Sequence, residues 1–274
     1  MSEYRNLTFY PAAVGTITED AIHSAFFGRE LGADILEIRF DLILDGLLSE
    51  LNEKAVRKEC VSLIREIRKT GLPVIGTFRS KKEGGNMDLN SRDAFKWMRF
   101  VLPYVDFIDI EWSSPKGKMR KLIDSAHQNQ KQVIISSHYF DQMPSKKQMM
   151  KMIVSSQKAG ADISKIAVMP KDDADVLKLF EAGLLSQKKV LQNDGTQKTG
   201  DEPKSDVRLE AKLKTNAGLG CVCLIAMGGS YQYSRIIAPV FGSVLSYGYV
   251  TMPAAPGQLR VDEIKSGLKS LNLR

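Results

Sequence analysis

The chain alternates between short apolar runs and longer stretches in which apolar residues return every three or four positions. A period of two marks a strand and a period near 3.6 marks a helix. On that basis strands are expected near 9–14, 34–41, 73–79, 105–111, 132–138, 162–168, 221–227 and 246–251. Helices are expected near 18–31, 50–70, 90–102, 116–129, 146–159, 172–185, 231–241 and 261–271. Eight strand–helix units in 274 residues predict an α/β fold, a closed (β/α)8 TIM barrel forming a single domain over 1–274. An open doubly wound sheet is the alternative, but it gives no reason for eight units.

Residues 192–217 break this rhythm. They are polar, rich in Lys, Asp, Gly and Thr, and without apolar period, which predicts a surface insertion on the connection between the sixth helix and the seventh strand. On such a connection it is expected at the N-terminal face of the barrel, away from the chemistry. Gly195 and Gly200 have the separation of a phosphate-binding loop, yet Asp201 and Glu202 follow where that motif needs Lys and Ser or Thr. Their negative charge excludes the phosphate-loop reading.

Alternate residues of a strand point to opposite faces. In the second strand Leu36, Ile38 and Phe40 share one face, and Ile35, Glu37, Arg39 and Asp41 share the other. The third strand groups Ile75, Thr77 and Arg79; the fourth groups Phe107, Asp109 and Glu111. The fifth groups Ile134, Ser136 and His138; the sixth groups Ile163, Lys165 and Ala167. Parallel strands covered on both sides should be almost continuously apolar. These strands instead direct charge inward, and mostly at their C-terminal ends, where barrel enzymes place their chemistry. A structural ion-pair network in the barrel mouth is the competing reading; it is disfavoured because buried charges cost several kcal/mol each unless well paired.

Within this set, His138 and Lys165 lie on neighbouring strands. A lysine is most often a solvated surface residue, but Lys165 sits between Ile163 and Ala167 on an inward face. An amine there, near Arg39 and Arg79, is expected to have its pKa lowered by desolvation and like charge, which favours the nucleophilic neutral form. Lys165 is mid-strand and must reach upward to the mouth. A lone histidine on an apolar strand is usually a satisfied core residue, but here it stands beside the lysine strand as a candidate proton shuttle.

Composition narrows the partners. The formal charge of +7 favours anionic ligands. The basic residues are scattered among acidic neighbours without an aromatic-interleaved block, so nucleic acid is not expected. No apolar run approaches the ~18 residues that span a bilayer, and the first residues show no export signal. The expected location is the cytoplasm, with no membrane partner. Cys60, Cys221 and Cys223 read as structural thiols, and three histidines are too few to suggest a metal site.

Seven motifs, in order over nearly the whole chain, now converge. They are Glu37-Ile38-Arg39-Phe40-Asp41; Thr77-Phe78-Arg79-Ser80 with Glu83-Gly84-Gly85; Ile108-Asp109-Ile110-Glu111; Ser137-His138; Lys165-Ile166-Ala167-Val168-Met169-Pro170; Met227-Gly228 with Ser234-Arg235; and Ala255-Pro256-Gly257-Gln258. Together the chain resembles the type I 3-dehydroquinate dehydratase family. The resemblance implies a hydro-lyase of the shikimate pathway that turns 3-dehydroquinate into 3-dehydroshikimate through an imine on Lys165. It implies His138 as general base and then acid, and Glu83 as the carboxylate that orients it. Substrate contacts fall to Glu37, Ile38, Arg39, Arg79, Arg235, Ala254 and Gln258. Arg235 is expected to hold the substrate carboxylate, and Gln258 to close over the substrate from a bendable loop. Glu37, Arg39 and Arg79 are expected to bind ring hydroxyls and balance one another's charge, with Asp109 and Glu111 as compensators of the arginines. No metal or organic cofactor is implied, and a homodimer is.

The chain departs from the family pattern in three places. Ala254 stands where the family usually has a serine, removing a hydroxyl contact. Pro11-Ala12-Ala13-Val14 offers no serine on the first strand, and the 192–217 insertion is atypical. Two other readings remain at this point. A class I aldolase would also use a lysine imine, with Gly228-Gly229 as a partial phosphate site, although Arg235 and Gln258 suit a carboxylate and hydroxyls better. A non-catalytic basic binding module leaves the inward charges unexplained.

Overall fold

The computed structural model describes residues 11–44, 52–87, 92–141, 143–193 and 221–273. Its strands are β1 (Ala12–Ile17), β2 (Ile35–Arg39), β3 (Val74–Thr77), β4 (Phe107–Glu111), β5 (Gln132–Tyr139), β6 (Ile163–Val168), β7 (Cys221–Ala226) and β8 (Leu245–Tyr249). The helices are α1 (Ala21–Glu30), α2 (Glu53–Arg68), α3 (Arg92–Val101), α4 (Lys116–Gln128), α5 (Lys146–Lys158), α6 (Asp173–Asn193), α7 (Ser234–Ile237) and α8 (Val261–Ser270). The strands are parallel and follow the order β7-β6-β5-β4-β3-β2-β1-β8. The last gap is drawn shut by a bridge between Val222 and Ser243, with the Val244 N–H donating to Val222 O at 2.9 Å. The Leu224 N–H adds a bond to Ser243 Oγ at 3.0 Å. The expected barrel is what the sequence forms.

Local chemistry explains the helices. The Asn52 side chain accepts the Ala55 N–H at 3.0 Å and starts α2, whose Val56, Cys60, Ile64 and Ile67 form one buried stripe. Ser145 and Gln148 form a reciprocal capping box at the start of α5. Between strands and helices lies an apolar layer that includes Leu36, Ile38, Phe40, Ile108 and Ile135. Inside the barrel, Ala12, Val14, Ile35, Ile75, Phe107, Ile134, Ile163 and Leu245 belong to a second apolar cluster. Each fully buried large side chain in such a layer contributes about 1.5–3 kcal/mol relative to exposure.

Several boundaries differ from the periodicity. β1 begins after Pro11, which can only open a strand, and runs through Thr16 and Ile17 rather than ending at Val14. β2 stops at Arg39 and the chain turns helical at 40–44, so Asp41 lies beyond the strand. The helix expected over 231–241 is broken into a 3-10 turn at Gly229–Tyr231, the short α7, and a 3-10 turn at Ala238–Phe241. Pro239 lacks the N–H that an α-helix would use there. α6 extends to Asn193, beyond the expected end at 185. Of the polar segment 192–217, all but its first two residues lie outside the described residues.

Candidate active site

One cavity opens at the C-terminal mouth, with about 520 Å³ of free space including the part continuous with solvent. Glu37, Arg39, Arg79, Glu83, His138, Lys165, Arg235, Ala254 and Gln258 all line it. Ile38 does not. Its side chain is fully buried on the opposite face of β2, in the helix-facing layer with Leu36 and Phe40. Strand alternation overrides the place the motif gave it.

His138 and Lys165 occupy different levels. β5 and β6 pair Ser136 with Lys165 and His138 with Ala167, so the lysine is rooted two residues lower and reaches up. Its Nζ lies 3.2 Å from Asp109 Oδ2 and 3.7 Å from Glu37 Oε1, and 3.8 Å from the centroid of the Tyr247 ring. Carboxylates and an aromatic face therefore line the amine; Arg79 is near it as expected, bound to the same Asp109 Oδ2 at 2.9 Å, whereas Arg39 is paired with Asp41.

His138 Nδ1 is 2.9 Å from Glu83 Oε2, and the His138 backbone N–H donates to the same oxygen at 3.1 Å. With Nδ1–H facing the carboxylate, Nε2 is the unprotonated nitrogen. Burial first, and then the charges of Arg79, Lys165 and Arg39, hold the imidazole well below its usual pKa of 6.5. Neutral His138 can accept a proton. Glu83 is pushed up to about 7 by burial and then by Glu111, against the opposing pull of Arg79 and of the Ser113 hydroxyl, which donates to Oε1 at 2.8 Å. Glu83 ends the 3-10 turn Lys81–Glu83, capped by Ser80. The turn folds back tightly: Gly85 N–H donates to Ser80 O at 2.7 Å, and a Cβ at Gly85 would sit 2.2 Å from Arg79 O. Only glycine permits that approach.

The charges do not pair as expected. Arg79 donates to Asp109 Oδ2 at 2.9 Å, to Glu111 Oε1 at 3.2 Å and to Ser136 Oγ at 2.9 Å. Arg39 is bidentate to Asp41, at 2.8 and 2.7 Å. Glu37 instead takes the hydroxyls of Thr16 at 3.0 Å and Thr77 at 2.8 Å. Glu37, Arg39 and Arg79 thus make no hydrogen bond to one another and each has its own partners, although the Glu37 charge still supports the Arg79 cation. Asp109 and Glu111 do compensate an arginine, as the sequence suggested. Burial works against ionised Asp109, but Arg79, Lys165 and the Ser136 hydroxyl hold its carboxyl below the usual range.

Arg235 is buried at the start of α7. Its Nε donates to Gly257 O and its Nη1 to Tyr247 O, both at 3.0 Å, while Nη2 has no hydrogen-bond partner among the described residues. Burial pushes the guanidinium down to about 10, so it remains a cation at neutral pH. Gln258 accepts the Ala254 N–H at 2.7 Å and donates to Thr16 Oγ1 at 3.3 Å. Its loop is pinned where Gly228 N–H meets Pro256 O at 3.1 Å. Gly257 has φ +68°, and a Cβ there would lie 2.1 Å from Gly228 O.

Two polar cavity residues, Thr16 and Tyr247, escaped the sequence reading, as did the apolar Phe140 and Ile225. Thr16 supplies the first-strand hydroxyl that Pro11–Val14 lacked; the alternation Ala12, Val14, Thr16 would have found it had the strand been placed correctly. Tyr247 forms part of the wall and is 4% exposed. Among the described residues, no three His, Cys, Asp or Glu side chains are gathered to hold a metal ion. Burial pushes the thiols of Cys60 and Cys223 up to about 12 and that of Cys221 to about 11, so all three stay protonated at neutral pH.

An eight-stranded barrel with acids, bases and a primary amine at its C-terminal mouth defines a (β/α)8-barrel enzyme. The model of the Type I 3-dehydroquinase family matches residues 14–192 and 208–274, and the gap falls inside the polar segment. The chain is 35% identical to a 3-dehydroquinate dehydratase of Methanocella arvoryzae, over 98% of this chain and 100% of that one. It is 36% identical to that of Methanosarcina acetivorans, over 95% and 94%. Among solved structures, the type I 3-dehydroquinate dehydratase of Clostridium difficile, with covalently modified comenic acid, superposes with a TM-score of 0.72. That match has 27% identity and covers 96% of this chain and 92% of that one. The chain belongs to the type I 3-dehydroquinase family.

Proposed function

We propose that the chain removes water from 3-dehydroquinate to give 3-dehydroshikimate, a hydro-lyase step of the shikimate pathway toward aromatic amino acids. The observation that carries this reading is one cavity in which a buried amine, a neutral histidine and a guanidinium with a bare Nη2 all meet. Ketone α-protons are too weakly acidic for a histidine to remove directly. Condensation with Lys165 turns the ketone into a protonated imine, which accepts the electron pair left as the proton departs. His138 Nε2 takes that proton and, now an acid, returns one to the β-hydroxyl as it leaves as water. Glu83 fixes the imidazole and supports its protonated form. A well-placed acid–base group supplies about 10²–10⁴-fold of the rate.

Arg235 presents Nη2 to the substrate carboxylate, its other donors being engaged by carbonyls. Gln258, Arg39 and Glu37 face the ring hydroxyls, and the backbone at Ala254 replaces the missing serine hydroxyl. In the aldolase alternative Gly228 would cradle a phosphate, but its N–H is engaged by Pro256 O. The whole of 1–274 acts as one catalytic domain in this proposal, with 192–217 as a surface insertion. A cytoplasmic location fits three free cysteines; among the described residues no helix is long and apolar enough to cross a membrane. The homodimer is proposed on family resemblance. Purified protein given 3-dehydroquinate should generate the ultraviolet absorbance of a conjugated enone. No such product at neutral pH would overturn the proposal.

A further inference from the structure

The hydroxyl of Tyr247 is buried and has no hydrogen-bond partner among the described residues. A buried hydroxyl left unpaired lowers stability, and phenylalanine would fill the same space without that cost. The ring that carries it has the Lys165 Nζ over its face at 3.8 Å. The hydroxyl feels chiefly burial and then the charges of Glu37 and Asp109, which raise its pKa well above 10.0 and keep it a donor. An uncommitted donor thus lies in the enclosure where two carboxylates share the lysine.

Imine formation changes the donors in that enclosure. The Lys165 ammonium carries three hydrogens. The ammonium first gives one proton to a neighbouring base, which frees the nitrogen lone pair to attack the carbonyl carbon while the C=O π electrons pass to oxygen. A second proton then leaves the nitrogen, the carbinolamine oxygen takes up both protons and departs as water with the C–O electrons, and the nitrogen lone pair completes the C=N bond. The nitrogen keeps one hydrogen and the positive charge. In the free protein Nζ donates a hydrogen bond to Asp109 Oδ2 at 3.2 Å and forms an ion pair with Glu37 Oε1 at 3.7 Å, beyond hydrogen-bond distance; the single N–H that remains can face only one of them. One carboxylate is then left beside the nitrogen with no N–H turned to it, at the step that makes the α-proton removable.

We propose that Tyr247 is a positioning residue for the imine: its hydroxyl turns to the Glu37–Asp109 pair and replaces the donor that Lys165 gives up. The ring holds the ammonium before condensation, and the hydroxyl holds the carboxylates after it. This rests on the reading of Lys165 as the imine-forming residue. The orphaned hydroxyl of the free protein is, on this account, satisfied in the intermediate.

The test is Tyr247→Phe, which keeps the ring and removes only the oxygen. Three quantities are read in parent and variant: melting temperature, the kcat and KM for 3-dehydroquinate, and the rate of borohydride labelling of Lys165 in a single turnover. The proposal expects an unchanged or higher melting temperature, kcat lowered about 10-fold, as for one lost hydrogen bond to a charged group, a nearly constant KM, and slower labelling still confined to Lys165. Unchanged kcat and labelling would overturn it. A lowered melting temperature would also overturn it, because the hydroxyl would then have a partner in the free protein. Absence of label in the parent would sink the imine reading itself, and is distinguishable because no variant is involved.

Discussion

The two halves of the barrel interior are built from the same strands and differ by one alternation. In the lower half, Ile35, Ile75, Phe107, Ile134 and Ile163 form part of an apolar cluster. Two residues further along the same strands stand Glu37, Thr77, Asp109, Ser136 and Lys165, equally buried but polar. The lower half gains stability from every side chain removed from water. The upper half must desolvate charges, and it is tolerated because nearly every one has a partner at hydrogen-bond distance. Stability is concentrated in one layer and chemistry in the next, so substitutions in the two should separate cleanly.

The largest effect belongs to the upper layer. Lys165→Ala should lower kcat on the order of 10⁴-fold or more, measured by enone formation, with substrate binding retained in a calorimetric titration. His138→Ala should cost about 10²–10⁴-fold in kcat while borohydride still labels Lys165, which separates proton transfer from condensation. A variant that lost both would mean that the two residues act as one unit. In the lower layer, Ile134→Ala should cost about 2–5 kcal/mol in denaturant unfolding with kcat unchanged at temperatures where the variant is folded. Loss of kcat without loss of stability there would erase the contrast between the layers. Arg235→Lys is smaller: KM should rise about 10–100-fold with kcat nearly constant, because a lysine cannot keep the carbonyl bonds and also present a spare donor.

The pH profile gives the finest distinction. His138 is held well below 6.5, so the base stays neutral as pH falls through that value, and the acid limb of kcat/KM should lie below 6.5. A limb at or above 6.5 would mean a different base. The sign carries over to stability. A depressed histidine contributes stability that is present above its unfolded pKa and is lost as pH falls toward the folded one. Glu83 acts oppositely: raised from 4.5 to about 7, it contributes stability present below 4.5 and lost as pH rises to about 7.

The barrel and its inward charges were legible because both follow from alternation, a local property. Glu37, Arg39, Arg79, His138 and Lys165 reach one cavity for that reason, whereas Arg235, on α7, was reached only through the family resemblance. What alternation cannot supply is which charge meets which. Arg39 turned to Asp41 because the chain leaves β2 for a helix, and that turn is invisible in an apolar pattern. The carboxylates around Lys165 come from β2 and β4, far apart in sequence, so pairing by sequence neighbourhood pointed to the arginines and passed over these acids. Thr16 was missed through a misplaced strand start beside Pro11. Ile38 was carried into the site by its motif neighbours, although alternation already sent it outward. Tyr247 gave no signal: an aromatic on an inner strand looks like core, and only the loneliness of its hydroxyl sets it apart.

The central claim is that the buried amine of the upper layer bonds covalently to the substrate. Incubation with 3-dehydroquinate and borohydride, followed by peptide mass mapping, tests it directly. The account predicts one reduced adduct, on Lys165. No adduct, together with undiminished turnover in Lys165→Ala, would contradict it.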